Sequence, residues 1–255
     1  MVISLINNKG GVGKTTTAVN LSAALASNGN TVLLVDLDSQ GSASLSLGVP
    51  RGDLSPSIAD ALFDDVNIQD LIRDTSVRNL KLITGDFRLA NADLALADVE
   101  GRERLLSDVL QAVRNSFDYV VLDCPPSLSL LPINALTAAD TFIVPVSPQY
   151  LALEGLVNLF SAVDRVRENI GGCAELLGIV ITLADYRVRV TQEIVEIVRG
   201  HYGKDVFETE IRGNVRLAEA PSFGQTVFQY DGASAGAEAY YRLAVEVATR
   251  SRRTI

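Results

Sequence analysis

Asn8-Lys9-Gly10-Gly11-Val12-Gly13-Lys14-Thr15-Thr16 decides how this chain of 255 residues is read. It follows a short apolar run at residues 2–6, which reads as a strand, and it opens a helical pattern over residues 15–27. Glycine at 10, 11 and 13 lets the backbone turn its N–H groups toward an anion without a Cβ clash. The helix that follows adds orphan N–H groups and the positive end of its dipole. In such a loop Lys14 reaches the β- and γ-phosphates of a nucleotide, and the Thr15 hydroxyl ligates Mg2+. The strict pattern G-x-x-x-x-G-K-[ST] is missed at one point, because Asn8 stands where the first glycine belongs. Lys9 adds a second cation inside the loop. The competing reading, a glycine-rich turn with two incidental lysines, does not account for strand, loop, GK[ST] and helix in that order.

Further apolar runs lie at residues 31–35, 80–83, 119–122, 141–146 and 177–182. None alternates with polar residues, as expected of strands covered on both faces. Helical patterns separate them, at 102–116, 153–169, 191–201 and 235–250. The alternation predicts an α/β fold: a doubly wound, mostly parallel sheet flanked by helices, with its ligand site at the carboxyl ends of the strands. No repeat, low-complexity tract or linker interrupts the chain, so one domain over 1–255 is expected. The Ser- and Gly-rich stretch 39–53 is expected to be the most mobile.

Two acidic boxes follow strands. Asp36-Leu37-Asp38-Ser39-Gln40-Gly41 closes the second apolar run, and alternate acids at a strand end can point the same way. That suits a metal and an attacking water. In Tyr119-Val120-Val121-Leu122-Asp123-Cys124-Pro125-Pro126 an acid ends a buried strand, where it would hold Mg2+ through water. Cys124 reads as a small packing residue and His201, the lone histidine, as a helix-end or surface residue.

Composition sets limits. With 31 acidic against 22 basic residues, net charge −9, the chain is no simple basic nucleic-acid coat. Its two cysteines make no framework and show no metal spacing, which suits a reducing compartment. The N-terminus lacks a basic n-region, and no run of about 18 apolar residues exists, so a cytoplasmic protein is expected. No segment before the first strand would hold a helix-turn-helix. The tail's apolar residues continue a core-facing helix, with only Ile255 beyond its last arginines, so no stable membrane anchor is expected.

The loop resembles the deviant Walker A box, KGGVGKT, of the ParA/MinD superfamily of ATPases. The resemblance implies ATP and Mg2+ as cofactors, with Lys9 through Thr16 holding the nucleotide and Thr15, Asp36 and Asp123 near the metal. It implies that Lys9 crosses a dimer interface to the partner's nucleotide and that Asp38 positions the hydrolytic water, making Lys9, Lys14 and Asp38 the catalytic set. Ser39 replaces the family's usual proline. Residues 152–156 (ALEGL) and 214–224 (NVRLAEAPSFG) are similar to stretches of the ParA/Soj group of partition ATPases, and the resemblance covers nearly the whole chain. The family's IPRN becomes Ile211-Arg212-Gly213-Asn214, leaving Asn214 as a contact for the base. The implied activity is that of a DNA-segregation ATPase: a homodimer closed by ATP, binding non-specific DNA on the nucleoid, with hydrolysis stimulated by a ParB-type centromere-binding protein. Arg187, Arg189, Arg212 and Arg216 are the DNA-binding candidates, with Arg250, Arg252 and Arg253 as contributors. An ATPase that positions a protein assembly, or acts at a membrane as MinD-like proteins do, shares the loop chemistry and stays open. A metallo-reductase of the nitrogenase iron-protein type is set aside, because only Cys173 is spare for a cluster.

Overall fold

Strands β1 (Val2–Leu5), β2 (Val32–Asp36), β3 (Arg73–Asp74), β4 (Leu80–Ile83), β5 (Tyr119–Asp123), β6 (Thr141–Val146), β7 (Glu175–Ala184) and β8 (Ile211–Arg212) form one sheet in the order β3-β4-β2-β5-β1-β6-β7-β8. The pairings are parallel except for β3 with β4. The computed structural model describes the backbone of residues 1–254 and the side chains of residues 1–252; the expectations attached to the Arg253 side chain and to Ile255 lie outside these described residues.

The helices are α1 (Lys14–Ser27), α2 (Ser42–Ser46), α3 (Ile58–Phe63), α4 (Ala92–Ala95), α5 (Leu105–Leu110), α6 (Leu130–Ala138), α7 (Ala152–Ile170), α8 (Arg189–Tyr202), α9 (Val215–Glu219), α10 (Val227–Asp231) and α11 (Ala235–Thr254). Side chains alternate across the sheet, so each strand feeds two cores. Val120 and Leu122 pack with Leu33, Phe142 and Ile179 under α3, α5, α6, α7 and α8. Val121 packs on the other face with Ile3, Leu34 and Ile143, under α1 and α11. Two covered faces explain the unbroken apolar runs. The helix α1 lies between the sheet and α11 and is buried along most of its length. Thr17 and Tyr240 share a buried hydrogen bond of 3.1 Å, and Asn20 accepts from the Val227 N–H at 2.9 Å. The helix behind the loop is thereby held from three sides.

Two expectations are corrected. The pattern at 102–116 breaks into α5 and a 3-10 turn at Arg114–Ser116, where Asn115 and Ser116 are weak helix formers. The stretch after Asp123 forms α6, with Pro132 in its first turn, where a missing N–H costs nothing. The stretch 39–53 is not loose: it builds α2 and a 3-10 turn at Arg51–Asp53, and Ala43, Ser44 and Leu47 are buried.

Candidate functional site

The loop from Asn8 to Gly13 leaves the carboxyl end of β1 between β5 and β6, and Asp36 and Asp123 end the neighbouring strands in register with each other. Its base is fastened by Asn7. That buried amide accepts from the Lys9 N–H at 3.0 Å and donates to the Pro145 carbonyl on β6 at 2.8 Å. Gly11 and Gly13 take left-handed φ of 70° and 81°, which a side chain would resist. No atom stands within 4 Å of where a Cβ would sit on Gly10 or Gly11, so the outer side of the loop is open to a ligand.

Lys14 is only 6% exposed, and its ammonium reaches back to the Lys9 carbonyl at 2.8 Å. Burial lowers its pKa, opposed by the charges of Asp123, Cys124 and Asp38. A desolvated cation beneath a glycine loop at an uncapped helix N-terminus is chemistry that fits an anion. Lys9 turns away from its own loop. Its ammonium donates to the Leu151 carbonyl at the head of α7, packed against Gly155.

Asp123 is fully buried, and neither carboxylate oxygen has a hydrogen-bond partner. Burial pushes its pKa well above the usual carboxylate range, Asp36 and Asp38 push further, and the nearby Thr15 hydroxyl and Lys14 act against them. An orphaned carboxylate beside a threonine hydroxyl is a hard-oxygen pair that fits Mg2+. Among the described residues no group of three or more His, Cys, Asp or Glu forms a cage. Mg2+ takes one or two protein ligands and completes its shell with water and phosphate.

Asp36, expected near the metal shell, is hydrogen-bonded within the protein. Its Oδ2 accepts from the Ser44 N–H at 2.9 Å and the Ser44 hydroxyl at 2.7 Å, and its Oδ1 from the Asp38 N–H at 3.1 Å. Burial raises its pKa to about 6 against these hydrogen bonds. It ties α2 and the Asp38 loop to the end of β2, and the open oxygen donors are Thr15 and Asp123. Asp38 is partly exposed at the rim, with its Oδ1 accepting from the Gln40 N–H at 3.0 Å. The turn closes through the Gly41 N–H on the Asp38 carbonyl at 2.9 Å, without the family's proline. Sequence reasoning missed Ser44, because a serine in a Ser-rich stretch carries no signal of its own.

Thr16, Gly13 and Asn214 line one cavity, with Leu217 and Tyr240 behind them. Asn214 caps α9, its Oδ1 accepting from the Arg216 N–H at 2.8 Å. Arg212, where the family has proline, pairs with Ala184 in the β8 ladder at the sheet edge. Cys124 is buried in the core, and His201 is exposed near the end of α8 beside Tyr202.

The arginines divide. Arg187 and Arg212 meet around one surface cavity with Asn214, and Arg212 lies over the Tyr186 ring at 5.1 Å. Arg187 is paired with Asp185, Arg189 with Glu193, and Arg216 with Glu219 and Asp231. Arg250 is no surface contributor. Its guanidinium donates to the Leu177 and Val206 carbonyls, pairs with Glu246 and sits 4.1 Å over Phe207, pinning α11 to β7. Arg252 is exposed. Among the described residues no helix is long and apolar enough to cross a membrane.

Residues 1–174 match a family model described as an AAA domain. The chain is 44% identical over 247 residues to the sporulation initiation inhibitor protein Soj of Bacillus subtilis, covering 97% of this chain and 98% of that one. It is 42% identical over 249 residues to the chromosome partitioning protein ParA of Myxococcus xanthus, covering 98% and 88%. In structure it is similar to a cobyrinic acid a,c-diamide synthase of Mycobacterium smegmatis solved with ADP and magnesium, at a TM-score of 0.86, 32% identity and coverage of 98% and 95%. Deviant loop, strand-end acids and near-full-length identity agree: the chain belongs to the Soj/ParA family of chromosome-partitioning ATPases.

Proposed function

We propose that this chain, acting as one domain over residues 1–255, hydrolyses ATP with Mg2+ to drive DNA segregation. The observation that carries the reading is the desolvated Lys14 inside an open glycine loop, facing a buried Asp123 whose oxygens accept no hydrogen bond of ordinary geometry. Mg2+ held by these residues would neutralise charge on the phosphates. The N–H groups of Gly10, Gly11, Val12, Gly13, Lys14, Thr15 and Thr16 cradle the phosphates. Lys14 adds its charge, Thr15 and Asp123 hold the ion, and Asn214 borders the base. Asp38 at the rim orients the attacking water. Asp36 serves through the loop it holds. Structural relatives solved with ADP and magnesium and with an ATP analog and magnesium support a magnesium nucleotide here.

One lysine and a helix end do not neutralise a triphosphate. Lys9, outside its own cradle, is the cation a second copy lends, which makes nucleotide the link between two subunits. The closed pair brings two sets of Arg187, Arg189, Arg212 and Arg216 together for non-specific DNA, and a ParB-type partner stimulates turnover and release. The carboxylate partners of Arg187, Arg189 and Arg216 favour the rival reading, an ATPase that positions a protein assembly. A gel-shift assay on random-sequence DNA decides. DNA should shift with ATP, not with ADP or without nucleotide. Asp38→Ala should hold the shift longer, and added salt should erase it steeply. No shift under any nucleotide removes the DNA role and leaves the rival.

A further inference from the structure

We infer that Thr182, near the end of β7, is a positioning residue for the phosphate loop. Its hydroxyl donates to the Val12 carbonyl at 2.7 Å in a buried contact, and Thr182 itself is 1% exposed. Its Cβ and Cγ2 lie 3.7 and 3.9 Å from where a Cβ on Gly13 would sit, so the side chain backs directly onto the loop. A trans peptide holds its C=O and N–H on opposite sides. Pinning the Val12 carbonyl toward β7 therefore turns the Gly13 N–H away from β7. Gly13 heads α1, which has no side-chain cap, so its first N–H groups are left for a ligand.

A bulge sets Thr182 in place. Thr182 pairs with Ile211 and Ala184 with Arg212, so Leu183 is the extra residue. Leu183 is left-handed at φ 54°, a conformation leucine takes only where its surroundings hold it. Thr182 thus stays in the ladder facing the loop, while Leu183 steps out beside the cavity that Asn214 lines. One strand end sets the peptide plane of the cradle and borders the pocket next to it.

The inference rests on the nucleotide reading above and names the side chain that aligns its cradle. Calorimetric titration with MgADP tests it on the wild type, Thr182→Val and Thr182→Ser, with urea unfolding alongside. Valine keeps the β-branched shape and removes the donor. It should weaken MgADP binding about tenfold, the equivalent of one hydrogen bond. Serine should restore affinity to within about twofold of the wild type on the same arithmetic. Wild-type affinity in Thr182→Val, with or without a lower urea midpoint, overturns the inference, as does a serine variant as weak as the valine one. Thr182→Ala repeats the test should valine disturb the ladder, and wild-type affinity there overturns it equally. Wild-type protein that binds no MgADP overturns the nucleotide reading itself, an outcome distinct from all of these.

Discussion

Asp123 shows what a single residue costs the empty protein. It is a buried acid whose oxygens have no partners and whose pKa stands well above the 3.8 of an unfolded aspartate. Between those two values the folded state binds more protons than the unfolded one, so stability falls as pH rises. Asp36, raised to about 6, adds a fall of the same sign between about pH 4 and 6. The nucleotide- and magnesium-free protein should therefore melt higher at pH 5 than at pH 8. Asp123→Asn should stabilise the protein at pH 8 by about 1–2 kcal/mol of relieved desolvation, read as a higher melting temperature. The gap between variant and wild type should narrow as pH falls, because protonation removes the buried charge of the wild type. Differential scanning calorimetry in EDTA reads both. The same variant should lose Mg2+-dependent turnover, so stability and function pull against each other at this position.

At the scale of elements, β2, β4 and α2 meet at one crowded corner. A Cβ on Gly85 would stand 2.5 Å from the Asp36 carbonyl and 2.8 Å from the Asp38 carbonyl, both backbone atoms. The Gly85 N–H also donates to the Ser44 hydroxyl at 3.3 Å. Gly85→Ala must push the strand end and the Asp38 loop apart, and it should cost about 2–3 kcal/mol. Gly200, inside α8, has open space around its Cβ position. Gly200→Ala should stabilise by about 0.5–1 kcal/mol through helix propensity alone. Urea midpoints of the pair test the contrast. The corner also shows why sequence reading failed at 39–53. Serine and glycine there look like loop formers, and their order comes from Asp36 and Gly85, which lie outside the stretch.

For the whole molecule the decisive feature is the direction of Lys9. Its ammonium rests on the head of α7 and leaves its own cradle to Lys14. On the proposed reading Lys9→Ala should bind MgATP with near wild-type affinity and remain a single chain. An Asp38→Ala protein that retains Lys9 should double in mass. Light scattering at saturating MgATP distinguishes them, and a dimer of Lys9→Ala removes the exchanged lysine from the mechanism. Arg250 marks the same scale from the other side. It stood among the basic residues of the tail, yet its guanidinium belongs to the joint between α11 and β7.

Local chemistry was enough for the architecture and the cradle. Unbroken apolar runs signal strands covered twice, and a glycine loop between strand and helix signals an anion, because both depend on neighbours a few residues away. Residues 2–16 and the acids ending β2 and β5 are therefore legible as a line of text. What each polar group does was decided by partners distant in the chain. Ser44 occupies Asp36 while nothing occupies Asp123, carbonyls of β7 and its flank claim Arg250, and Thr182 reaches a loop 170 positions away. Burial and hydrogen-bond satisfaction are properties of the packed chain, and only the tertiary structure assigns them.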